Sequence, residues 1–226
     1  SGIRETDGTF KNNRFINSVR FDSTVSTIGK ESFSECSTLS QVNISKSVTS
    51  IEAYAFSGCS SLATISIPSS IISIEAHAFS SCTSLVQIEI PNSVTSLGEC
   101  VFSGCATLNE ITIPSSVTSI SNFAFEKCSE LQEIEIPASI TSIGGFAFAG
   151  CSSLQELSIP SSVVSIGYSA FSGCSSLSKI LIPSSVNSIG NFAFEKCTSL
   201  SQVTVPSSCE SIGISAFSTD TKVIRN

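Results

Sequence analysis

The sequence predicts a repeat solenoid of the α/β class, and three observations lead to that prediction. Cysteines recur every 23 residues through eight positions, and a Phe stands three residues before each of them. The Phe period extends outward to Phe10 and Phe217. The seven residues NFAFEKC at 122–128 return unchanged at 191–197, three periods later. A unit this short cannot bury its own apolar side chains, so identical units must stack and bury them against one another.

The elements of one coil follow from the repeating unit L-x-x-I-x-I-P-x-S-V-T-S-I-G-x-x-A-F-x-x-C-x-S. Its L-x-x-I-x-I half alternates inward and outward residues, which predicts a short parallel strand stacked about 4.8 Å from the next. The Pro that follows, from Pro68 to Pro206, ends the hydrogen bonding of that strand. The V-T-S-I segment favours a second short strand on the opposite side. Gly98, Gly144 and later glycines in the same slot are expected to allow a turn into A-F-x-x-C, a single helical or 3-10 turn.

Length and composition favour one domain over residues 1–226, a single solenoid of about nine to ten coils with incomplete terminal coils. The chain has 226 residues, 41% of them hydrophobic, and a mean hydropathy of +0.34, which is too apolar for disorder. Its net charge of −7 argues against nucleic acid or an anionic membrane as a partner. No apolar run approaches the roughly 18 residues of a membrane span, and the first residues do not resemble a signal peptide.

The unit I-P-S-S-V-T-S-I-x-x-x-A-F-x-x-C resembles that of the BspA-like, or Treponema pallidum-type, leucine-rich repeat proteins, from about residue 10 to 220. The resemblance implies a leucine-rich-repeat fold, a right-handed coil with a concave parallel β-sheet. It also implies cell-surface or secreted proteins of bacteria and parasitic protists, several of them adhesins for host proteins or other cells. The Asn/Cys slot of the general pattern is Ser in every coil here, and we expect its hydroxyl to bond the turn backbone of the neighbouring coil. These serines are Ser47, Ser70, Ser93, Ser116, Ser139, Ser162, Ser185 and Ser208.

Ten cysteines pose a choice between a disulfide framework and buried thiols. Stacked neighbours would lie within disulfide reach, but stacking holds their Cβ vectors parallel and apart. No C-x-x-C pair points to zinc. We therefore predict reduced thiols that act as small apolar fillers, with Cys209 in the core and Cys100 meeting solvent. The eight cysteines of the column are Cys36, Cys59, Cys82, Cys105, Cys128, Cys151, Cys174 and Cys197.

The sequence predicts no enzyme. The only histidine, His77, lies in a slot that also accepts Tyr, Cys, Phe and Ser, and no partner marks it as a general base. Nucleophile-elbow, zinc-protease, phosphate-loop and dinucleotide-binding motifs are absent. No catalytic, cofactor-binding or metal residue is therefore assigned, and no cofactor is expected.

Two surfaces are candidates for binding a partner. The slot that enters the A-F turn carries Phe123 and Phe146 in neighbouring coils. These rings either close the coil corner as core or stay half exposed and form an apolar patch. The second surface is acidic, because the outward strand positions of the middle coils gather five glutamates. They are Glu89, Glu110, Glu133, Glu135 and Glu156.

The acidic face has a structural and a functional interpretation. Gln fills the same column in other coils, so folding does not require Glu there. The face is either an ordinary solvated surface, or a docking surface for a basic partner or a weak cation site.

The function predicted first is a non-enzymatic protein-binding module, a surface or secreted adhesin-like protein that binds host or other cell-surface proteins through its concave face. The alternative is an intracellular scaffold of the same architecture, which reduced cysteines would suit. An ice-binding solenoid would need a regular Thr face. The candidate column from Thr49 to Glu210 is broken at half its positions, which argues against it.

Overall fold

The computed structural model describes residues 8–226, and these form a parallel β-solenoid. Most coils contribute one longer strand and one two-residue strand, which belong to separate sheets; the coil that contains residues 131–137 has the two-residue strand alone. The longer strands are β1 (Ser18–Arg20), β3 (Gln41–Asn43), β5 (Thr64–Ser66), β7 (Gln87–Glu89), β9 (Glu110–Thr112), β12 (Glu156–Ser158), β14 (Lys179–Leu181), β16 (Gln202–Val205) and β18 (Lys222–Arg225). The two-residue strands are β2 (Thr27–Ile28), β4 (Ser50–Ile51), β6 (Ser73–Ile74), β8 (Ser96–Leu97), β10 (Ser119–Ile120), β11 (Ser142–Ile143), β13 (Ser165–Ile166), β15 (Ser188–Ile189) and β17 (Ser211–Ile212).

Pairing between coils keeps the sequence period. Thr64 of β5 faces Gln87 of β7, which faces Glu110 of β9, so each step along the sheet is 23 residues. The two-residue strands obey the same rule, with Ser119 facing Ser142. The predicted stack of parallel coils with a 23-residue period is therefore confirmed. The assignment of residues 1–226 to a single domain stays a prediction, and residues 1–7 lie outside the described part of the chain.

Each inward slot of the repeat forms a column through the core, and the Phe column is the largest. Its rings run from Phe10 to Phe217 with centroids 5.1–5.8 Å apart and planes within 15° of parallel. The eight rings between these two ends are fully buried. Stacked aromatic pairs of this kind contribute about 0.5–1.5 kcal/mol each beyond their buried area. The two NFAFEKC segments thus occupy the same corner in two different coils, with the same side chains.

The A-F-x-x-C segment is not helical, and the prediction of a single helical or 3-10 turn there is not confirmed. Residues 8–226 contain no α-helix or 3-10 helix. Successive backbone amides of the segment alternate between two kinds of hydrogen bond. Ser57 N donates within the turn, to Tyr54 O at 3.1 Å, whereas Tyr54 N donates to the next coil, to Ala76 O at 3.0 Å. Tyr54 and Gly58 have φ of 60° and 72°, values that a right-handed helical turn does not contain.

Glycine in the slot after the second strand has a different role from the one predicted. Gly98 and Gly144 do not have positive φ, so conformational freedom is not the reason for them. A Cβ on Gly98 would lie 2.2 Å from the amide nitrogen of Ala76, and one on Gly144 would lie 2.6 Å from that of Asn122. The close approach of the preceding coil therefore excludes a side chain.

The final coil is shorter than the others. Gln202 of β16 faces Lys222 of β18, a step of 20 residues instead of 23. Thr221 Oγ1 donates to the carbonyl of Leu200 at 2.7 Å, and Arg225 Nη2 donates to the carbonyl of Cys209 at 2.9 Å. These side-chain bonds fasten β18 to the coils before it.

Candidate functional site

The structure places the five predicted glutamates on the face formed by the longer strands. Each is exposed and points away from the core, while the residues between them on the same strands point inward. Two columns result, one with three of the glutamates and one with two. We call this set the acidic surface: Glu110, Glu133 and Glu156 in the first column, Glu89 and Glu135 in the second.

The sheet is interrupted inside the acidic surface. Residues 131–137 form no strand, although their position in the repeat matches that of β9 and β12. Ile134 is half-buried, whereas Ile111 and Leu157 in the same slot of the adjacent coils are 6% and 4% exposed. A cleft of about 410 Å³ opens here, lined by Asn109, Glu110, Ile111, Gln132, Glu133, Ile134 and Glu135. The coils are thus less tightly joined at the centre of this face than on either side.

Open depressions flank this cleft along the solenoid. One of about 730 Å³ is lined by Glu89 and Glu110 together with outward Ser, Thr and Gln side chains. The other, of about 800 Å³, is lined by Glu133, Glu135 and Glu156, with Leu181 at its edge. The acidic surface therefore has relief into which side chains of another molecule can fit.

Most of the acidic surface is not neutralised by the chain itself. Glu156 pairs with Lys179 at 3.4 Å. In the described part of the chain, no ion pair involves the other four glutamates, and Lys127 pairs instead with Glu126 at 3.5 Å. The described residues also contain no group of three or more His, Cys, Asp or Glu side chains that could hold a metal ion. Four carboxylates of the acidic surface therefore have no cation of the described chain as an ion-pair partner.

The aromatic corner is a second exposed feature. Phe123 and Phe146 stack with centroids 4.8 Å apart and planes 6° from parallel, and both are half-buried. Tyr168 lies against Phe146 at 5.2 Å and against Phe192 at 5.6 Å. The sequence did not decide whether these rings are buried in the core or form an exposed apolar patch, and the structure shows partly exposed rings. Tyr168, 46% exposed, was missed because it stands one position before the aromatic slot, which holds Ser169 in that coil.

His77 takes part in this corner as a stacking group. Its ring lies 4.3 Å from that of Tyr54, with planes 7° apart. Phe123, Phe146 and His77 all have φ near 58°, a conformation that is uncommon for bulky residues. Ring stacking between neighbouring coils offsets part of that conformational cost.

All ten cysteines are free, and the eight of the column are buried, as predicted. Burial raises the pKa of Cys105 and of Cys151 to about 12, so both thiols remain protonated at neutral pH. Cys209 is buried, as expected. Cys100 is half-buried, and burial together with Glu126 and Glu99 raises its pKa. A raised pKa makes these thiols poor nucleophiles.

The serine slot connects the coils in the expected manner. Ser70 Oγ donates to the carbonyl of Val48 at 2.6 Å, and Ser93 Oγ does the same to Ile71. Ser162 is the exception, because its buried Oγ has no hydrogen-bond partner. The slot thus replaces the Asn of the general leucine-rich repeat with a shorter donor.

Comparison with known proteins identifies the repeat. The profile of the BspA type leucine-rich repeat region, in six copies, matches residues 6–132 and 118–225. The chain belongs to the BspA-type leucine-rich repeat family. A search of the curated protein sequences yields no match. Within residues 8–226 no helix is long and apolar enough to cross a membrane.

Solved structures of leucine-rich repeat proteins resemble this BspA-type chain along most of its length. The Treponema pallidum leucine-rich repeat protein is 30% identical over 74% of this chain and 78% of its own, with a TM-score of 0.64. A leucine-rich repeat protein of Bacteroides ovatus is 25% identical over 99% of this chain and 78% of its own, with a TM-score of 0.53. The pneumococcal vaccine antigen PcpA, 19% identical with a TM-score of 0.52, shares the fold alone.

Proposed function

We propose that this protein is a non-enzymatic protein-binding module, and that its face of longer strands, which we take to be concave, docks a basic region of a protein partner. The observation that carries the proposal is the acidic surface, with four glutamates that no cation of the described chain neutralises. Rigid strand columns present these carboxylates in a preformed array. Concentrated charge of one sign raises the rate of encounter with a partner of the opposite sign.

The partner class we propose is a host extracellular or cell-surface protein, with this chain secreted or held at a cell surface. Membership of the BspA-type family supports this, because several members of the family are surface adhesins. No nucleic acid partner is proposed, since a net charge of −7 would repel phosphates. Membrane insertion of this chain is not proposed either.

An intracellular scaffold is the second candidate, and one observation favours it. All ten cysteines are free, and a reducing compartment would keep them so. Burial protects the column in an oxidising compartment as well, so we place this candidate second. The aromatic corner, with Phe123 and Phe146 at its centre, is the alternative contact surface for either function.

The proposal is tested with a charge-neutral variant of the first glutamate column. Glu110→Gln, Glu133→Gln and Glu156→Gln, made together, keep side-chain size and imitate the Gln of other coils. The matched control replaces three exposed glutamates outside the acidic surface, Glu99, Glu130 and Glu210, with the same loss of charge. Partners captured by the wild type from host extracellular proteins or from cell lysate are then titrated against all three proteins at low and high salt.

We expect the column variant to bind at least about tenfold more weakly at low salt, and the control variant to bind as the wild type does. High salt should weaken the wild type most. Equal affinity of wild type and column variant, with no dependence on salt, would remove the acidic surface from the proposal. The same titration with Phe123→Ala and Phe146→Ala would then test the aromatic corner.

A further inference from the structure

The interruption at residues 133–135 differs from the other breaks in the sheet. β3 and β5 do not pair with each other, nor do β14 and β16, yet each of these strands is paired on its other side. Among the longer-strand positions of coils in the described chain, only residues 133–135 pair on neither side. At their margin the Gln155 amide donates to the carbonyl of Gln132 at 3.3 Å.

Charge distinguishes the two junctions of residues 133–135 from the paired junctions on either side of them. Glu133 lies between Glu110 and Glu156 in its column, so like charges face each other across both of its junctions. The ladder forms where Glu110 faces Gln87, and it forms again where Glu156 faces Lys179. Like charges directly opposite each other destabilise strand pairing. The segment is therefore open where Glu meets Glu.

The opposite side of the solenoid is also weakened next to this point. β8 and β10 do not pair, and Ser121 Oγ donates to the carbonyl of Leu97 at 2.6 Å where other coils have a backbone amide. In the preceding coil, Gly98 N donates to Ile74 O at 2.9 Å. The coil that contains β9 and β10 thus keeps one ladder towards each neighbour, while its turn stays bonded to both.

We propose that residues 132–136 form an electrostatic joint, held open by the charge of Glu133 between Glu110 and Glu156. When that charge is neutralised or paired with a cation, the segment joins β9 and β12 and the sheet becomes continuous from β5 to β14. Closing draws the two halves of the acidic surface together. A bound basic partner would therefore tighten the face that holds it. That last step rests on the proposed function, whereas the joint itself does not.

Amide hydrogen exchange of residues 131–137, read by mass spectrometry, tests the joint in three variants. Glu133→Gln removes the charge, and Glu133→Lys converts both junctions to the pairing seen between Glu156 and Lys179. Lys and Glu are both poor strand formers, so a gain in the Lys variant reflects charge and not propensity. Glu89→Gln is the matched control, because Glu89 lies in a paired strand between Ser66 and Thr112.

We expect exchange of this segment to slow in both Glu133 variants and to stay unchanged in Glu89→Gln. Two unit charges about 5 Å apart in water repel enough to change an equilibrium roughly fourfold. Glu133→Gln removes both repulsive pairs at once, so exchange should slow by up to about 16-fold, and by at least as much in Glu133→Lys. Raising salt should slow exchange in the wild type towards the Gln variant, because the charges are solvent-exposed and screened.

Exchange that is unchanged in Glu133→Lys, or equally slowed in Glu89→Gln, would overturn the proposal. An oligolysine peptide added to the wild type tests the coupling to a cationic partner, with binding measured separately. Binding with slower exchange supports closure by a partner, and binding without it overturns that coupling. If the peptide does not bind, the docking surface fails, while the three variants still decide the joint.

Discussion

The Sγ atom of Cys151 lies 3.2 Å from the backbone carbonyl oxygen of Phe125 in the preceding coil and donates its hydrogen to it. The same relationship joins Cys59 to Phe33 at 3.2 Å and Cys197 to Phe171 at 3.1 Å. Each thiol is therefore more than a small apolar filler, since it gives a second hydrogen bond to a buried carbonyl. Phe125 O, for example, also accepts a bond from the amide of Cys128 at 3.2 Å. The period of the sequence predicts the burial of these cysteines but not this bond.

Thiol labelling should separate Cys100 from the rest. In the folded protein we expect a maleimide or disulfide reagent to modify one thiol per chain, and all ten only in guanidinium. Cys100 should react more slowly than a free cysteine at pH 8, because its pKa is raised. A Cys100→Ser variant that still reacts when folded, or an intact mass that corresponds to several disulfides, would contradict the buried column.

Alkaline pH should destabilise the fold. The unfolded thiols ionise near pH 9, whereas Cys105 and Cys151 keep their protons up to about pH 12. The stability that these thiols contribute is complete below pH 9 and is lost as the pH rises towards 12. The loss is about 1.4 kcal/mol per pH unit for each such thiol. Guanidinium unfolding at several pH values from about 7 to about 11 measures it.

The control for the alkaline effect is Cys151→Ala. This variant should be less stable at neutral pH, because it lacks a buried group and a hydrogen bond. Above pH 9 the stability of the variant should nevertheless fall less steeply than that of the wild type. The difference between the two slopes should be about 1.4 kcal/mol per pH unit. Parallel pH profiles of wild type and variant would show that folding does not raise the pKa of Cys151.

The Phe column should be strongest at its centre. Phe125→Ala removes a ring that stacks on Phe102 at 5.7 Å and on Phe148 at 5.2 Å, and it should cost about 3–5 kcal/mol. Phe217→Ala should cost much less, because that ring is half-buried and stacks on Phe194 alone within the described column. Equal losses in chemical denaturation would be incompatible with coils that stabilise each other as neighbours.

Two glycine substitutions should reduce the free energy of unfolding by different amounts, and for different physical reasons. A Cβ on Gly167 would lie 2.6 Å from the backbone of Gly144, so Gly167→Ala must push coils apart, at about 1–3 kcal/mol or more. Gly150 has φ of 77°, but an added Cβ would make only ordinary van der Waals contacts, at 3.4 Å from the Lys127 side chain and 3.6 Å from its Cα. Gly150→Ala should therefore cost about 1 kcal/mol in backbone strain. The reverse order in thermal unfolding would contradict this distinction.

The sequence predicts most of the fold because an apolar period is a direct record of which side chains face inward. It predicts the parallel strands, the Phe and Cys columns and the serine bonds, since each depends only on position in the repeat. The helical or 3-10 turn is not confirmed, and the positive φ values of the turn have no signature in that period. Gly58 marks one of its two left-handed positions, yet Lys127 occupies the equivalent place three coils later.

The sequence predicts which residues lie in the candidate site, but not whether the strands there pair or how exposed the aromatic rings are. Reading the outward columns is enough to gather Glu110, Glu133 and Glu156 on one face. Whether facing glutamates separate two strands depends on the balance between repulsion and backbone hydrogen bonds, and the sequence pattern does not contain that balance. The exposure of Phe123 and Phe146 depends similarly on how Tyr168 closes the corner beside them.

The aromatic corner also supplies the protein with its own optical probes. The chain has no Trp and two Tyr, and Tyr54 and Tyr168 lie in coils on opposite sides of residues 133–135. Emission from a Tyr168→Phe variant reports on the N-terminal coils alone, and emission from Tyr54→Phe reports on the C-terminal coils. The unfolding of the two halves of the solenoid can thus be followed separately by intrinsic fluorescence, without attaching any label.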